Sequence, residues 1–516
     1  MRGSVAMALL AVTAACSSAK PPALSPQPSA IEQLASADRL VPAGCYDCLL
    51  GAYDKYDRLR SNPAVAADAT LGAIRAAVLI AMRERELGMV DSGHLRIARD
   101  LAQAHPDLPD WLGKILEISD VLPSTIPGIA RGVAGDIDLE RSMALRRNAA
   151  VYEQILRDSA PLDLLAGYAY ASFRCAAVNG RPVPPAEIFA TLKPYEAAPL
   201  IAFRRATCRG TDGPAIERIA AADARFIEHN YLLGMLAVSR LPRPDLDGAT
   251  ALYLRAREWH PEWPSLTQAL GNVAMTAEDF DGAIRFYGEA LALAPRAVEA
   301  RLGKVRALTY TGRHEEAIAE IDPWLEGRWN LGDAHYWRAV NEMQLQRNDE
   351  AWVDIEAAAK LLINADVPKL AGIIAYRRRQ LDVARAKFEE SRARSRDDCE
   401  TTFYLGVVLA ELRDWTQTAD TLSSAGACLE AAEQRLVAEI DAIRASDEPP
   451  ARKARQIARR ERDITGGRRM RAQAWFNAAV AYFSLARAAE ARQYAERLVD
   501  DEQFGARAKE ILARLR

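Results

Sequence analysis

Residues 264–297 read PSLTQALGNVAMTAEDFDGAIRFYGEALALAPRA, and this stretch decides the fold. Leu270-Gly271 falls in a first helix, Ala283, Tyr287 and Ala290 fall in a second, and Pro295 closes the unit. Gly271 and Ala283 are small where the two helices cross, so the backbones can approach closely. Tyr287 is large enough to fill the gap toward a following unit. Pro295 cannot continue a helix and turns the chain.

Outward from this stretch the pattern recurs. Ala249, Ala283, Ala317 and Ala351 are each 34 residues apart, and Tyr253/Tyr287 and Pro261/Pro295 keep the same step. The unit 230–263 carries Ala237, Ala249, Tyr253, Ala256 and Pro261; the unit from Val298 carries Gly312, Ala317 and Ile321. The unit from Gly332 carries Ala339, Ala351, Ile355 and Ala358. The unit from Ala365 carries Gly372, Ala384 and Phe388, slipped by one residue, and the unit from Cys399 carries Leu405-Gly406, Trp415 and Leu422. A lone helix pair cannot bury its apolar face, so such units must stack.

Leu-Gly in a first helix, then small, aromatic and small residues in a second, then Pro, resembles the tetratricopeptide repeat. The resemblance implies an all-α fold of antiparallel helix pairs stacked into a right-handed superhelix. It also implies a concave groove, lined by the first helix of each pair, that accepts extended peptides or helices from protein partners. By register the groove residues are Gln268, Asn272 and Met275; Leu302, Arg306 and Tyr310; Tyr336, Val340 and Met343; Lys369, Ile373 and Tyr376; and Phe403. Aromatic and Met side chains beside Arg suit a peptide groove. Asp333 stands where the carboxylate-gripping subfamily has Lys, so that specificity is not expected.

Composition agrees with helices. Apolar residues make up 50% of the 516 and aromatics only 7%, and Ala- and Leu-rich cores suit helix-on-helix packing better than strands. The formal net charge of −3 gives no whole-chain field directed at nucleic acid. Six divisions follow: 1–15, 16–44, an irregular helical region 45–229 with degenerate repeats, the regular array 230–430, a basic helical insertion 431–472, and a last pair with capping helix at 473–516. In the irregular region, helices are expected at Ala67–Leu87, Gly93–Ala104, Leu139–Arg157 and Leu162–Val178, with a Pro- and Gly-rich loop at Pro123–Asp136.

The N-terminus points to a compartment. Arg2 is followed by the apolar run Val5–Ala15 and then Cys16. The run is about half the ~20 residues that span a bilayer, so it reads as a signal peptide. Ala14-Ala15-Cys16 resembles the lipobox of bacterial lipoproteins, with Thr13 a departure from the usual Leu. That resemblance implies cleavage before Cys16, its acylation (palmitate among the chains), and a lipid anchor, with the outer membrane facing the periplasm as the expected site. Each buried methylene contributes about 0.8 kcal/mol, so two or three chains anchor firmly. Residues 16–44 are Pro- and Ser-rich and read as a disordered tether.

Removing Cys16 leaves Cys45, Cys48, Cys175, Cys208, Cys399 and Cys428, an even set suited to disulfides in an oxidising compartment, with fifteen possible pairings. Sequential pairs are favoured. In the repeat register Cys399 opens a first helix and Cys428 ends the second, so the two are neighbours; closing this loop of roughly 30 residues contributes about 3–4 kcal/mol in the chain-entropy model. Cys45-x-x-Cys48 lacks thioredoxin-like surroundings and reads as structural.

No phosphate loop, nucleophile elbow, zinc-protease motif or dinucleotide fingerprint occurs, and the six histidines are scattered. No enzyme activity, cofactor or metal is expected. The histidines read as helix-end or surface residues, and Asp354 and Glu356 as solvated charges. Arg452–Arg471 reads as a solvated, Arg-rich helix or as a contact for anionic lipid or an acidic partner. The functional expectation is a membrane-anchored periplasmic scaffold for protein partners of an envelope complex. The alternative is a ligand-binding accessory lipoprotein of a transport system, using a cleft inside the superhelix.

Overall fold

The structure is a computed structural model that describes residues 28–87, 89, 91–118, 149–159, 162–176, 184–208, 212–240, 243–326 and 331–515. The signal peptide, Cys16 and the Pro123–Asp136 loop lie outside the described residues, as does the start of the helix expected from Leu139. Among the described residues every regular element is helical, and no helix is long and apolar enough to cross a membrane.

An N-terminal body is built from α1 (Ala30–Ala43), α2 (Tyr46–Leu59), α3 (Ala66–Leu87), α4 (His94–Gln103), α5 (Asp110–Ile118), α6 (Ala149–Asp158), α7 (Leu164–Ala176), α8 (Pro185–Ala190), α9 (Pro199–Ala206) and α10 (Gly213–Ala222). The expected tether is therefore corrected over 30–43, which is helix. Ser29 and Glu32 form a reciprocal capping box, and Gly44 closes the helix in the left-handed conformation. Leu34, Leu40 and Val41 pack on the body's core. α3 is the body's axis, with Ala73 to Ile80 buried almost without interruption.

The array continues with α11 (His229–Val238), α12 (Leu246–Trp259), α13 (Pro264–Thr276), α14 (Phe280–Leu293), α15 (Val298–Tyr310), α16 (His314–Glu326), α17 (Gly332–Gln344), α18 (Asn348–Ala359), α19 (Asp366–Arg377), α20 (Leu381–Arg394) and α21 (Cys399–Glu411). It ends in α22 (Trp415–Ala445), α23 (Pro450–Ser484), α24 (Ala488–Glu496) and α25 (Gly505–Arg514). Each first helix packs on its second and on the next unit. Tyr287 is buried between Gly271 of its own unit and Gly303 of the next; a Cβ at Gly271 would sit 2.6 Å from the Tyr287 ring.

The turns inside the pairs share one device. Glu278, Gly312, Gln346, Arg379 and Arg413 all have positive φ, spaced 34, 34, 33 and 34 residues apart. After each, the next amide donates back to the end of the first helix: Asp279 N to Ala274 O at 2.8 Å, Arg313 N to Leu308 O at 2.9 Å, Arg347 N to Glu342 O at 2.9 Å. This is the 6→1 bond of a Schellman motif, and it satisfies carbonyls the helix end would otherwise leave unpaired. A non-glycine residue in this conformation costs roughly 1–2 kcal/mol, which the surrounding packing must supply. Asp245, Asp279 and Asp414 then cap the second helices through their side chains.

The expected basic insertion at 431–472 is not a separate element. α22 spans 31 residues and α23 spans 35, the latter running through Gly466-Gly467, so the 472/473 boundary falls inside a helix. The second helix of the unit from Cys399 and the first helix of the last pair are both elongated, and their extra length forms a hairpin.

Three disulfides join Cys45–Cys48, Cys175–Cys208 and Cys399–Cys428, with Cα–Cα distances of 4.9, 5.0 and 5.5 Å. Cys45 and Cys48 are buried with Phe203, Phe226 and Trp263 in the core that joins body to array.

Candidate partner groove

The first helices α13, α15, α17, α19 and α21 place the register-assigned side chains in succession. Arg306 and Tyr310 of α15 are open to solvent: Arg306 is exposed, and Tyr310 is 46% exposed. Their neighbourhood is aromatic. The Tyr310 ring lies 5.1 Å from Phe280 and 6.3 Å from Trp337, Trp337 meets Tyr336 edge-on at 5.5 Å, and the Arg306 guanidinium lies 5.7 Å from the Trp337 ring centre. Such rings offer an amphipathic surface, and the guanidinium adds cation–π attraction.

The other assigned residues divide. Asn272 is exposed and accepts a hydrogen bond from the Tyr287 hydroxyl at 2.6 Å, so it also orients a core ring. Gln268, Met275, Leu302, Tyr336, Val340, Ile373 and Tyr376 are half-buried. Met275 and Leu302 each lean on the core of adjoining pairs. Tyr376 donates its hydroxyl to Glu411 at 2.5 Å; burial, then that carboxylate, push its pKa up to about 12. Lys369 sits among Asp398 at 3.1 Å, Glu400 at 3.4 Å and Asp366 at 3.7 Å. Burial opposes its charge, but these carboxylates outweigh burial and hold the ammonium pKa above its ordinary value.

Two assignments are corrected. Met343 is 6% exposed and belongs to the core of α17–α19, while Phe403 is 4% exposed and packs in the core formed by α21–α23. A position assigned by register alone does not separate a groove residue from one that the next first helix covers. Asp354 is also corrected: it is 2% exposed, not solvated, and accepts from His335 at 2.7 Å and from the Arg338 guanidinium.

The sequence reading missed Trp337, although an aromatic next to Tyr336 was a usable signal. It singled out the basic stretch of α23 but not its partners, several of which lie far away in sequence. Arg452 pairs with Asp247 at 2.5 Å, Arg459 and Arg460 pair with Glu278 at 3.3 and 3.1 Å, and Arg468 and Arg471 pair with Glu433 at 2.7 and 2.6 Å. The acidic partner of this basic stretch is within the chain itself.

Residues 274–343 and 472–500 match the tetratricopeptide repeat family. A search of curated proteins finds no match. Similar solved structures include MamA, residues 41 to the end, from Desulfovibrio magneticus RS-1, 13% identical over 33% of this chain and 96% of that one, with a TM-score of 0.31. A thermophilic TPR protein from Thermus thermophilus is 16% identical over 36% and 98%, with a TM-score of 0.30. A tetratricopeptide repeat protein from Parabacteroides merdae ATCC 43184 is 13% identical over 58% and 98%, with a TM-score of 0.31. Paired helices at a 34-residue step, with the two matched segments, identify the chain as a tetratricopeptide-repeat protein.

Proposed function

We propose that this chain is a lipid-anchored periplasmic scaffold that binds protein partners of an envelope complex through its concave groove, and that its role is binding, not catalysis. The observation that carries the binding role is the exposed Tyr310, flanked by Phe280 and Trp337, with Arg306 on the same aromatic group. An exposed ring backed by half-buried ones suits an anchor point for a peptide or helix. The anchor and compartment rest on the Ala14-Ala15-Cys16 motif, and three disulfides suit an oxidising compartment.

Crosslinking in native membranes, followed by capture, tests the groove. The Arg306→Glu/Tyr310→Ala variant is expected to lose the partners that wild type retains; the same partners recovered at the same yield would reject the assignment. Cys16→Ser is expected to abolish labelling by palmitate and to move the protein from the membrane to the soluble envelope fraction.

A second reading is the ligand-binding accessory of a transport system; the cleft that favours it, of about 440 Å³, lies in the N-terminal body and not inside the superhelix as expected. Leu34, Val41, Leu71 and Leu164 give it apolar walls, and the Arg75–Asp163 pair at 2.7 Å gives it a polar end. Native mass spectrometry of the purified protein distinguishes the readings, since only the second predicts a retained small molecule.

A further inference from the structure

The elongated hairpin of α22 and α23 has no counterpart in the other pairs. Ordinary second helices such as α14 and α20 have 14 residues and ordinary first helices such as α13 and α15 have 13, against 31 and 35 here. The hairpin is zipped along its length: Glu433 takes Arg468 and Arg471, and Glu439 takes Arg460 at 3.0 Å. Its root is packed, with the Trp475 indole lying against Gly426.

Its tip does not end in solvent. Arg452 reaches Asp247, 205 residues earlier, with both terminal nitrogens, and Arg459 and Arg460 converge on one oxygen of Glu278, 181 and 182 residues earlier. The Arg459 guanidinium also lies 5.6 Å from the centre of the Tyr310 ring. These contacts are partly dry: Arg452 is 13% exposed and Glu278 is 10% exposed. All three targets lie at the turn ends of successive helix pairs, one in each of the first three units. Glu278 is moreover the left-handed turn residue, at the position where the next unit has Gly312.

We propose that this hairpin is an ionic clasp that closes the array on itself. It ties the last pair to the first three units, fixes the curvature of the groove between them, and places Arg459 over Tyr310 as part of the groove's wall. Its partner is the acidic turn edge of the same chain. Three guanidinium groups against two carboxylates hold it, so added salt and charge reversal must open it. The inference does not depend on what the groove binds.

The test uses the full chain with its disulfides intact. Small-angle scattering is recorded for wild type, Arg459→Glu/Arg460→Glu, and the same variant carrying Glu278→Arg. In parallel, Asp247→Cys/Arg452→Cys is introduced into each background and its rate of disulfide closure measured. Expected results are a larger radius of gyration and at least tenfold slower closure for the reversed arginines, with both restored by Glu278→Arg. High salt is expected to expand wild type in the same direction. An unchanged scattering profile and closure rate in the reversed variant overturns the clasp, as does an expansion that the compensating charge fails to restore. Unchanged helical content by circular dichroism separates opening from unfolding; if the double reversal unfolds, Arg459→Gln with the same closure assay takes its place.

Discussion

The N-terminal body and the repeat array are both helical, but they are held together in different ways. Most of the body's buried residues share one large core whose members range from Ala37 to Cys208. The array has a series of small cores, such as Ala283/Tyr287/Ala290 and Ala351/Ile355/Ala358, each shared by neighbouring helices. The body also buries charge, where it joins the array. Arg83 is 0% exposed and pairs with Glu86 at 2.9 Å and Glu228 at 3.2 Å, stacking 4.3 Å from the Phe203 ring centre; Tyr168 donates to Glu86. Stability in the array is local and additive over neighbours, whereas in the body one lesion reaches everything.

The sharpest way to break this contrast is at Arg83. Arg83→Ala leaves Glu228 buried without its cation and Glu86 with only Arg204 at 3.9 Å, and is expected to cost about 3–5 kcal/mol, unfolding the body first. Hydrogen exchange checks it: protection should fall throughout α2, α3 and α7 while α17–α21 keep theirs, and an equal loss in both regions would mean that the contrast is false. Tyr287→Ala is the array's counterpart. Removing a ring wedged between two glycine-bearing helices is expected to cost about 3–5 kcal/mol at most, with loss of protection confined to α13–α16. Spread of that loss into the body would show that the array is not modular.

A smaller effect depends on pH. Glu342 is buried; burial first, then the adjacent Asp354 carboxylate, raise its pKa from 4.5 to about 8. A carboxyl raised in the folded state contributes stability that is complete below about 4.5 and is lost as pH rises toward 8. Melting temperature of the array's transition should therefore decline from pH 5 to pH 8 in wild type and much less in Glu342→Gln. Smallest is Asp279→Ala, which removes one cap from α14 and is expected to cost about 1 kcal/mol, read from the same melting transition.

The array was legible because its period is written in residues that packing dictates: Ala283 where helices cross, Tyr287 in the gap, Pro295 at the exit. Its turns were not. Five of the six residues with positive φ at these positions are Glu278, Gln346, Arg379, Arg413 and Ala486, and only Gly312 announces itself. Packing on both sides imposes the turn on residues with no preference for it. The helix at 30–43 was hidden by a Pro-rich prefix, although Ser29-x-x-Glu32 carried its capping signature. Nothing local in Arg83-Glu84-Arg85-Glu86 announces burial, yet three of its members are buried, because Tyr46, Tyr168, Arg204 and Glu228 reach them from distant segments. The groove fared similarly: Arg306 and Tyr310 were identifiable from register, whereas Arg459 joins them only through the return of a hairpin about 150 residues later.

One detail of that hairpin has a mechanical meaning. Gly466 and Gly467 sit side by side within α23, and a Cβ on either would meet nothing within 4 Å, so no packing demands them. Each weakens a helix by about 1 kcal/mol relative to alanine. They lie between an anchored base at Trp475 and the arginines that hold the far end. The Gly466-Gly467 step is therefore the place where α23 resists bending least, set between two stretches that are each held by side-chain contacts.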